Sequence, residues 1–334
     1  MIEITRQLVE TYGPSGREEQ IRERIRDLVE PLADAVHVDA LGNLIATVEG
    51  DGSGRRVMLA AHMDEIGVIV THIDEHGFLR FGPVGGVRLG RCIGNRVRFA
   101  DGIVGVIGVE KMDNPNAAPN LEQLYIDVGA RDRAGCPVPV GAMAGFDQTF
   151  VARDDRWTAK SMDDRIGCAV LIETLRGLRE QGPALAHTVH FVFSAQEEVG
   201  TRGATTAAYH LEPEIGIAVD VTGTGDTPKA PPMAVSLGAG PAIKVKDAGM
   251  ISHPGLVALM VQRAEEAGIP YQLEVLTGGT TDARAMQLAH GGVISGCVSI
   301  PCRYVHTVSE TVDANDVRQS VELLLACLQG SLDL

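Results

Sequence analysis

The sequence predicts an α/β fold: a mostly parallel central sheet covered by helices on both faces, with a small all-β barrel inserted into it. Apolar runs such as "HTVHFVF" and "EIGIAVD" alternate with helix-like runs such as "DDRIGCAVLIETLRGLRE" over the carboxyl-terminal half, the pattern of strands buried on both faces. Between residues 66 and 157 the texture changes to short alternating runs separated by Gly, Pro and Asp-Gly, which reads as a barrel or sandwich. The apolar strand "RRVMLAAH" lies before that stretch. The expected organisation is one discontinuous α/β domain, residues 1–65 and 158–334, with residues 66–157 inserted as a barrel.

The first thirty residues predict two helices broken at "GPSG", the second with Ile21, Ile25, Leu28 and Val29 on one face. "AVHVDALGNLIATVEG" predicts a hairpin turning near Gly42 and Asn43. After Trp157 come the helix at "DDRIGCAVLIETLRGLRE", strands at "HTVHFVF" and "EIGIAVD", a helix at "GLVALMVQRAEEAG" and a strand at "YQLEVL". "DARAMQLAH" predicts a helix, "GVISGCVSI" a strand, and "DANDVRQSVELLLACLQ" a closing helix with Asp313 as its N-cap.

Composition narrows the function classes. The 334 residues are 45% hydrophobic and 22% charged, with a formal charge of -15. That balance builds an ordinary core and offers no basic face for nucleic acid. Cys92, Cys136, Cys168, Cys297, Cys302 and Cys327 form no CxxC pair and read as free thiols of a reducing compartment. The amino terminus is amphipathic and carries acids, unlike a signal peptide, and no apolar run reaches membrane-spanning length. A cytoplasmic protein with no membrane partner is expected.

In open α/β sheets, ligands gather beyond the carboxyl ends of the strands. There the sequence places His62 and Asp64, then Glu197 and Glu198 in "SAQEEVG", then Asp220, then His306. Asp163 and Asp164 sit at the loop-to-helix junction "KSMDDRIG". Taken singly, each has a plainer reading: a hydrogen-bonded core histidine, a helix cap, or acids at a positive helix end. Together they bring two histidines and several carboxylates to one sheet edge, a burial that charge repulsion and desolvation both oppose. A pair of divalent cations compensates it. Imidazole and carboxylate without thiolate suits Zn, Co or Mn, with Asp163 as a candidate bridge. On an extended chain neighbouring side chains point oppositely, so one of the two adjacent glutamates is expected to bind metal and the other to face the attacking water.

At these residues the chain resembles the M42 family of metallo-aminopeptidases, which includes the tetrahedral aminopeptidases and the glutamyl and deblocking aminopeptidases. The resemblance rests on "AAHMDEIG", "KSMDDRIG", "SAQEEVGTRGA", "VDVTGTGDTP", "LTGGTTDA" and "IPCRYVHT", in that order across nearly the whole chain. It implies His62, Asp163 and Asp220 on one metal, and Asp163, Glu198 and His306 on the other. It further implies Glu197 as general base and then acid, and Asp64 as the residue orienting His62. Two divalent ions per subunit, Zn foremost, peptide substrates, and a dimer formed through the barrel, extendable to a dodecamer, follow from the same likeness. Asp164 is given a structural helix-terminal role. Asp282 is divided between capping its helix and bordering the substrate pocket. His72, His76, His187, His190, His210, His253 and His290 have no assigned ligand partner, His253 being the one nearest in prospect to substrate.

The chief alternative is a metal-dependent amidohydrolase or carboxypeptidase acting on acylated amino acids or peptides, which shares this ligand order but carries an α/β insertion. A glycosidase carboxylate pair needs no such histidines and would want more stacking platforms than the single Trp157. A non-catalytic interaction module predicts missing ligands, and none is missing.

Overall fold

The computed structural model describes residues 1–112, 114, 118–181 and 185–334. The amino-terminal part forms α1 (Ile2–Glu10), α2 (Glu19–Val29) and strands β1 (Ala35–Val38), β2 (Leu44–Val48) and β3 (Arg56–His62). Then come β4 (Gly67–Ile73), β5 (Leu79–Val84), β6 (Arg96–Phe99), β7 (Val104–Val109), β8 (Leu124–Asp127) and β9 (Met143–Phe146). β10 (Val151–Arg153) and β11 (Arg156–Ala159) precede α3 (Met162–Gln181), β12 (Thr188–Ser194), α4 (Arg202–Leu211), β13 (Ile215–Thr222) and β14 (Ala242–Lys246). The chain closes with α5 (Pro254–Ala267), β15 (Gln272–Val275), α6 (Asp282–Gln287), β16 (Ile294–Arg303), β17 (Glu310–Asp313) and α7 (Ala314–Gln329).

Among the described residues the strands make an 11-stranded sheet, with β1-β2-β12-β3-β13-β16-β17-β11-β10 in spatial order and β14, carrying β15, branching from β16, and a closed barrel, β4-β5-β8-β7-β6-β9. The fold is the α/β class with an inserted all-β barrel that the sequence predicts. The sheet is mixed rather than mostly parallel: β12, β3, β13 and β16 run parallel, while the flanks pair antiparallel. Parallel neighbours need long crossovers, supplied by the stretch ending in α3 between β3 and β12 and by the stretch holding α5 and α6 between β13 and β16, whereas the flanking strands are joined by short turns or by chain returning from elsewhere. "DQTFVARDD", expected in the insertion, belongs to the large sheet instead. Its strand β10 pairs with β11, which follows it and in turn pairs with β17, Trp157 standing opposite Val312.

Each sheet face has its own core. One is filled by Leu8, Ile21, Ile25, Ile166, Leu171, Met260 and Leu324 from α1, α2, α3, α5 and α7. The other is thin: Ala204, Ala207 and Ala208 of α4 and Ala283, Ala285 and Met286 of α6 lie on Met58, Ala60 and Val192. Alanines let these two helices sit close to the strands. The barrel encloses a separate core around Val68, Phe81, Val97, Ile107 and Ile126. No helix among the described residues is long and apolar enough to cross a membrane.

The expected helix starts hold in part. Asp313 caps α7 by accepting from Asn315 N at 2.7 Å. Glu197 and Glu198, however, lie in a turn between β12 and α4 and belong to neither, so strand alternation does not govern them.

Candidate metal centre

Parallel register sets the site. Ser194 of β12 stands opposite His62 of β3. The β13–β3 ladder pairs Ala218 with Ala60, and two residues further Asp220 comes level with His62. His62, Asp220, Glu197, Glu198 and His306 thus emerge at the carboxyl edge of the four parallel strands, and Asp163 enters from the start of α3. All six line one cavity of about 590 Å³.

Asp163 is the hinge of the arrangement. Its Oδ1 is 3.0 Å from His62 Nε2 and its Oδ2 is 3.2 Å from His306 Nε2. One oxygen therefore faces each histidine. Glu198 Oε1 is 3.3 Å from His306 Nε2. Two overlapping groups result, His62/Asp163/Asp220 and Asp163/Glu198/His306, in each of which the donor atoms lie within 4.8 Å of one another. Glu197 belongs to neither group, yet its Oε2 is 3.9 Å from His62 Nε2. Both adjacent glutamates reach the same cavity, unlike the opposed pair that an extended chain would present.

The electrostatics fit a cation-binding site. Burial, and then neighbouring carboxylates, push Glu197 and Asp220 well above the usual range despite nearby His62. Burial and then Asp163 raise Glu198. Burial opposes a charge on His306, but the adjoining carboxylates of Asp163 and Glu198 outweigh it and raise the imidazole to about 11. The same balance, with Asp163 and Asp64, holds His62 well above its ordinary value. Burial also opposes ionisation of Asp163, but the two histidines outweigh it and hold its carboxyl below the usual range. Glu198 Oε1 is buried, with His306 Nε2 at 3.3 Å beside it but no well-formed hydrogen bond. Carboxylates crowded out of water, with an oxygen left over, are what divalent cations would satisfy. The donor set of imidazole and carboxylate fits Zn, Co or Mn.

A second layer of buried acids holds the first. His62 Nδ1 lies 3.1 Å from the main-chain oxygen of Asp64 and 3.5 Å from its carboxylate. A carbonyl only accepts, so Nδ1 carries the proton and Nε2 is the nitrogen free to coordinate. The carbonyl of Asp64 is nearer to Nδ1 than its carboxylate is. The Asp64 carboxylate instead accepts from the N–H of Glu197 at 2.9 Å, of Glu198 at 3.2 Å and from Ser15 Oγ at 2.6 Å. Asp164 accepts from His62 N at 3.2 Å and from Gly167 N at 3.1 Å, tying β3 to the first turn of α3.

Glu310 was not among the residues expected. It is buried at the head of β17 and accepts from His306 N at 2.7 Å and from Asp163 N at 3.0 Å. It thereby ties the start of α3 to the loop that carries His306, and the only sequence signal is an acid four residues after His306. The barrel supplies another wall: a Cβ on Gly86 would come within 2.3 Å of His306 Nδ1, and one on Gly85, at φ +76, within 3.0 Å of Glu198 Cβ. Only glycine allows that approach.

Other candidates lie elsewhere. His253 is the N-cap residue of α5, and neither it nor His72, His76, His187, His190, His210 or His290 lines the cavity. Thr281, not Asp282, caps α6; Asp282 accepts a short bond from Ser194 Oγ beneath the site.

Comparison with known proteins agrees with this geometry. The family model described as M42 glutamyl aminopeptidase matches residues 42–323. A putative aminopeptidase of Acetivibrio thermocellus is 44% identical over 98% of both chains. An aminopeptidase of the archaeon Desulfurococcus kamchatkensis superimposes with a TM-score of 0.92 at 37% identity, over 99% of this chain and 94% of its own. The TET1 peptidase of Pyrococcus horikoshii, which can assemble into a tetrahedron or a large octahedral shell, superimposes with a TM-score of 0.88 at 34% identity, over 98% of both chains. With fold, motif order and full-length similarity in agreement, the chain belongs to the M42 peptidase family and is a hydrolase of the aminopeptidase class.

Proposed function

We propose that the protein removes amino-terminal residues from peptides at a two-metal centre, with Glu197 as general base. The observation that carries this reading is the disposition of Asp163, one oxygen towards each histidine, with Glu197 left outside both donor groups but within 3.9 Å of His62. His62, Asp163 and Asp220 would hold one ion, and Asp163, Glu198 and His306 the other. Bound divalent ions supply positive charge that polarises the scissile carbonyl and acidifies the attacking water. Glu197 accepts the proton of that water through its carboxylate and returns it to the leaving amine as the C–N bond breaks. Asp64, by holding the N–H groups of both glutamates, keeps base and ligand in register.

Zn is the ion proposed first, with Co or Mn as alternatives. A homo-oligomer is proposed, its dimer contact on the barrel, with the TET1 likeness supporting a larger shell; the particle mass in solution decides between dimer and dodecamer. The six free thiols support a cytoplasmic setting.

The test is hydrolysis of aminoacyl-p-nitroanilides by metal-stripped protein, then with Zn, Co or Mn restored, beside Glu197→Gln. Metal-dependent release that vanishes in the variant is expected. No release with any metal, from protein that binds two ions, would favour N-acylated substrates and the amidohydrolase reading.

A further inference from the structure

A cavity of about 720 Å³ runs between α4 and α6, outside the metal centre, and shares Gly200, Thr201 and Arg284 with the catalytic cavity. The two spaces therefore adjoin at the turn that follows Glu198, where these residues line both. The groove is built to receive something apolar. Tyr209 and Leu288 are 69% and 70% exposed on its walls, with Ala285 and Ala289 between them. The Tyr209 ring is stacked on His290, with centroids 4.6 Å apart and 14° between planes, and His290 Nε2 donates to Tyr209 O at 2.7 Å. This aromatic platform is thus held in place before any ligand arrives. The hydroxyls of Thr205 and Thr206 bond to carbonyls of their own segment, Thr201 O at 2.8 Å and Gly203 O at 3.0 Å, which removes two polar competitors. Arg284, at the junction, has no ion pair and no side-chain hydrogen bond among the described residues.

We propose that this groove is the subsite for the part of a peptide substrate that follows the scissile bond: an apolar side chain lies against Tyr209 and Leu288, and Arg284 takes a substrate carboxylate. The assignment rests on the aminopeptidase reading. An exopeptidase acting at the amino terminus has a single residue on one side of the cut, which the catalytic cavity holds, and a chain of variable length on the other. An open groove that leaves that cavity past Glu198 suits the second. The carboxylate could come from the free carboxyl terminus of a short peptide or from an acidic side chain.

The test uses holoenzyme and peptides sharing one amino-terminal residue, followed by Leu or by Gly, each as free acid and as amide, and by Leu-Asp-amide. The aminoacyl-p-nitroanilide, which has no following residue, is the reference. Wild type is expected to favour Leu over Gly roughly 10-fold in kcat/KM, the scale of a hydrophobic subsite. Tyr209→Ala and Leu288→Ser should each erode that ratio, raising KM for the Leu peptides several times more than for the anilide. Arg284→Ala should raise KM for acids over amides if the carboxyl terminus is bound, or for the Leu-Asp-amide if a side chain is. An unchanged Leu/Gly ratio in both groove variants overturns the proposal. So does a change in particle mass in those variants, which would make the groove a contact between copies. Cleavage of the anilide with no discrimination among peptides refutes the groove alone, whereas inertness towards every substrate refutes the aminopeptidase reading and the groove with it.

Discussion

The carboxylate of Asp64 accepts the main-chain N–H of Glu197 at 2.9 Å, across 133 residues of chain. Its second oxygen accepts from Glu198 N, so one buried acid sets the turn that carries both the proposed base and a proposed ligand. Asp64→Ala is expected to lower kcat by about 10- to 100-fold, the range for outer partners of metal ligands. Asp64→Asn, which keeps one acceptor oxygen, should lie between that variant and wild type. Steady-state kinetics with metal content measured on the same samples checks both.

Glu310 does for Asp163 and His306 what Asp64 does for the glutamates. In Glu310→Gln an amide N–H faces one of the two main-chain donors, so one bond is lost and a repulsion takes its place. The group containing His306 should lose metal affinity by about 10- to 100-fold, separating metal binding into two steps. A calorimetric titration of stripped protein would read this directly, and a single unaltered isotherm would refute it.

Burial, opposed by the N–H of Gly16 and reinforced by the charge of Asp64, pushes the Glu18 carboxyl up to about 7. Unfolded chain ionises such a group at its ordinary value of 4.5. Between those values the folded protein keeps the proton that the unfolded chain releases, so stability falls as pH rises through this window and stays lowered above it. Glu18→Gln never ionises and its oxygen can still accept from Gly16 and Gln196. At pH 8 it should be more stable than wild type by about 1–3 kcal/mol, a gap that closes at pH 4. Denaturant midpoints at the two pH values test it.

Lys244 and Glu274 form a wholly buried pair at 2.8 Å, with Thr222 Oγ1 donating to the same Glu274 oxygen at 2.6 Å. Removing one partner leaves a bare charge in the core. Lys244→Met should therefore destabilise by about 3–5 kcal/mol, and adding Glu274→Leu should recover most of that loss. Chemical denaturation of the two variants provides the comparison.

The donor residues of the candidate site were legible because they lie at or just past the carboxyl ends of apolar strands, where open sheets collect ligands. His62, Asp220 and His306 needed only that rule, and Asp163 the helix junction. Glu310 was not legible, because its work is done on main-chain N–H groups, one of them 147 residues away, and "SETVD" carries no trace of that. β10 and β11 were misassigned for a related reason: "TFVARDDRWTA" alternates as the barrel strands do, and only β17, supplied from near the far end of the chain, decides their sheet. Strand β14 escaped notice inside a glycine-rich stretch whose partners, β15 and β16, come later.

The contact of Gly85 and Gly86 with Glu198 and His306 bears on how such a chain could be recombined. Although the barrel has its own core and its own closed ladder, cutting it out would not yield a minimal enzyme. The splice would leave an imidazole and a carboxylate facing water on the side where main chain had excluded it. A barrel transplanted from a relative would serve only if its first hairpin ended in the same side-chain-free step, so the graft boundary falls beyond that loop rather than at the barrel's rim.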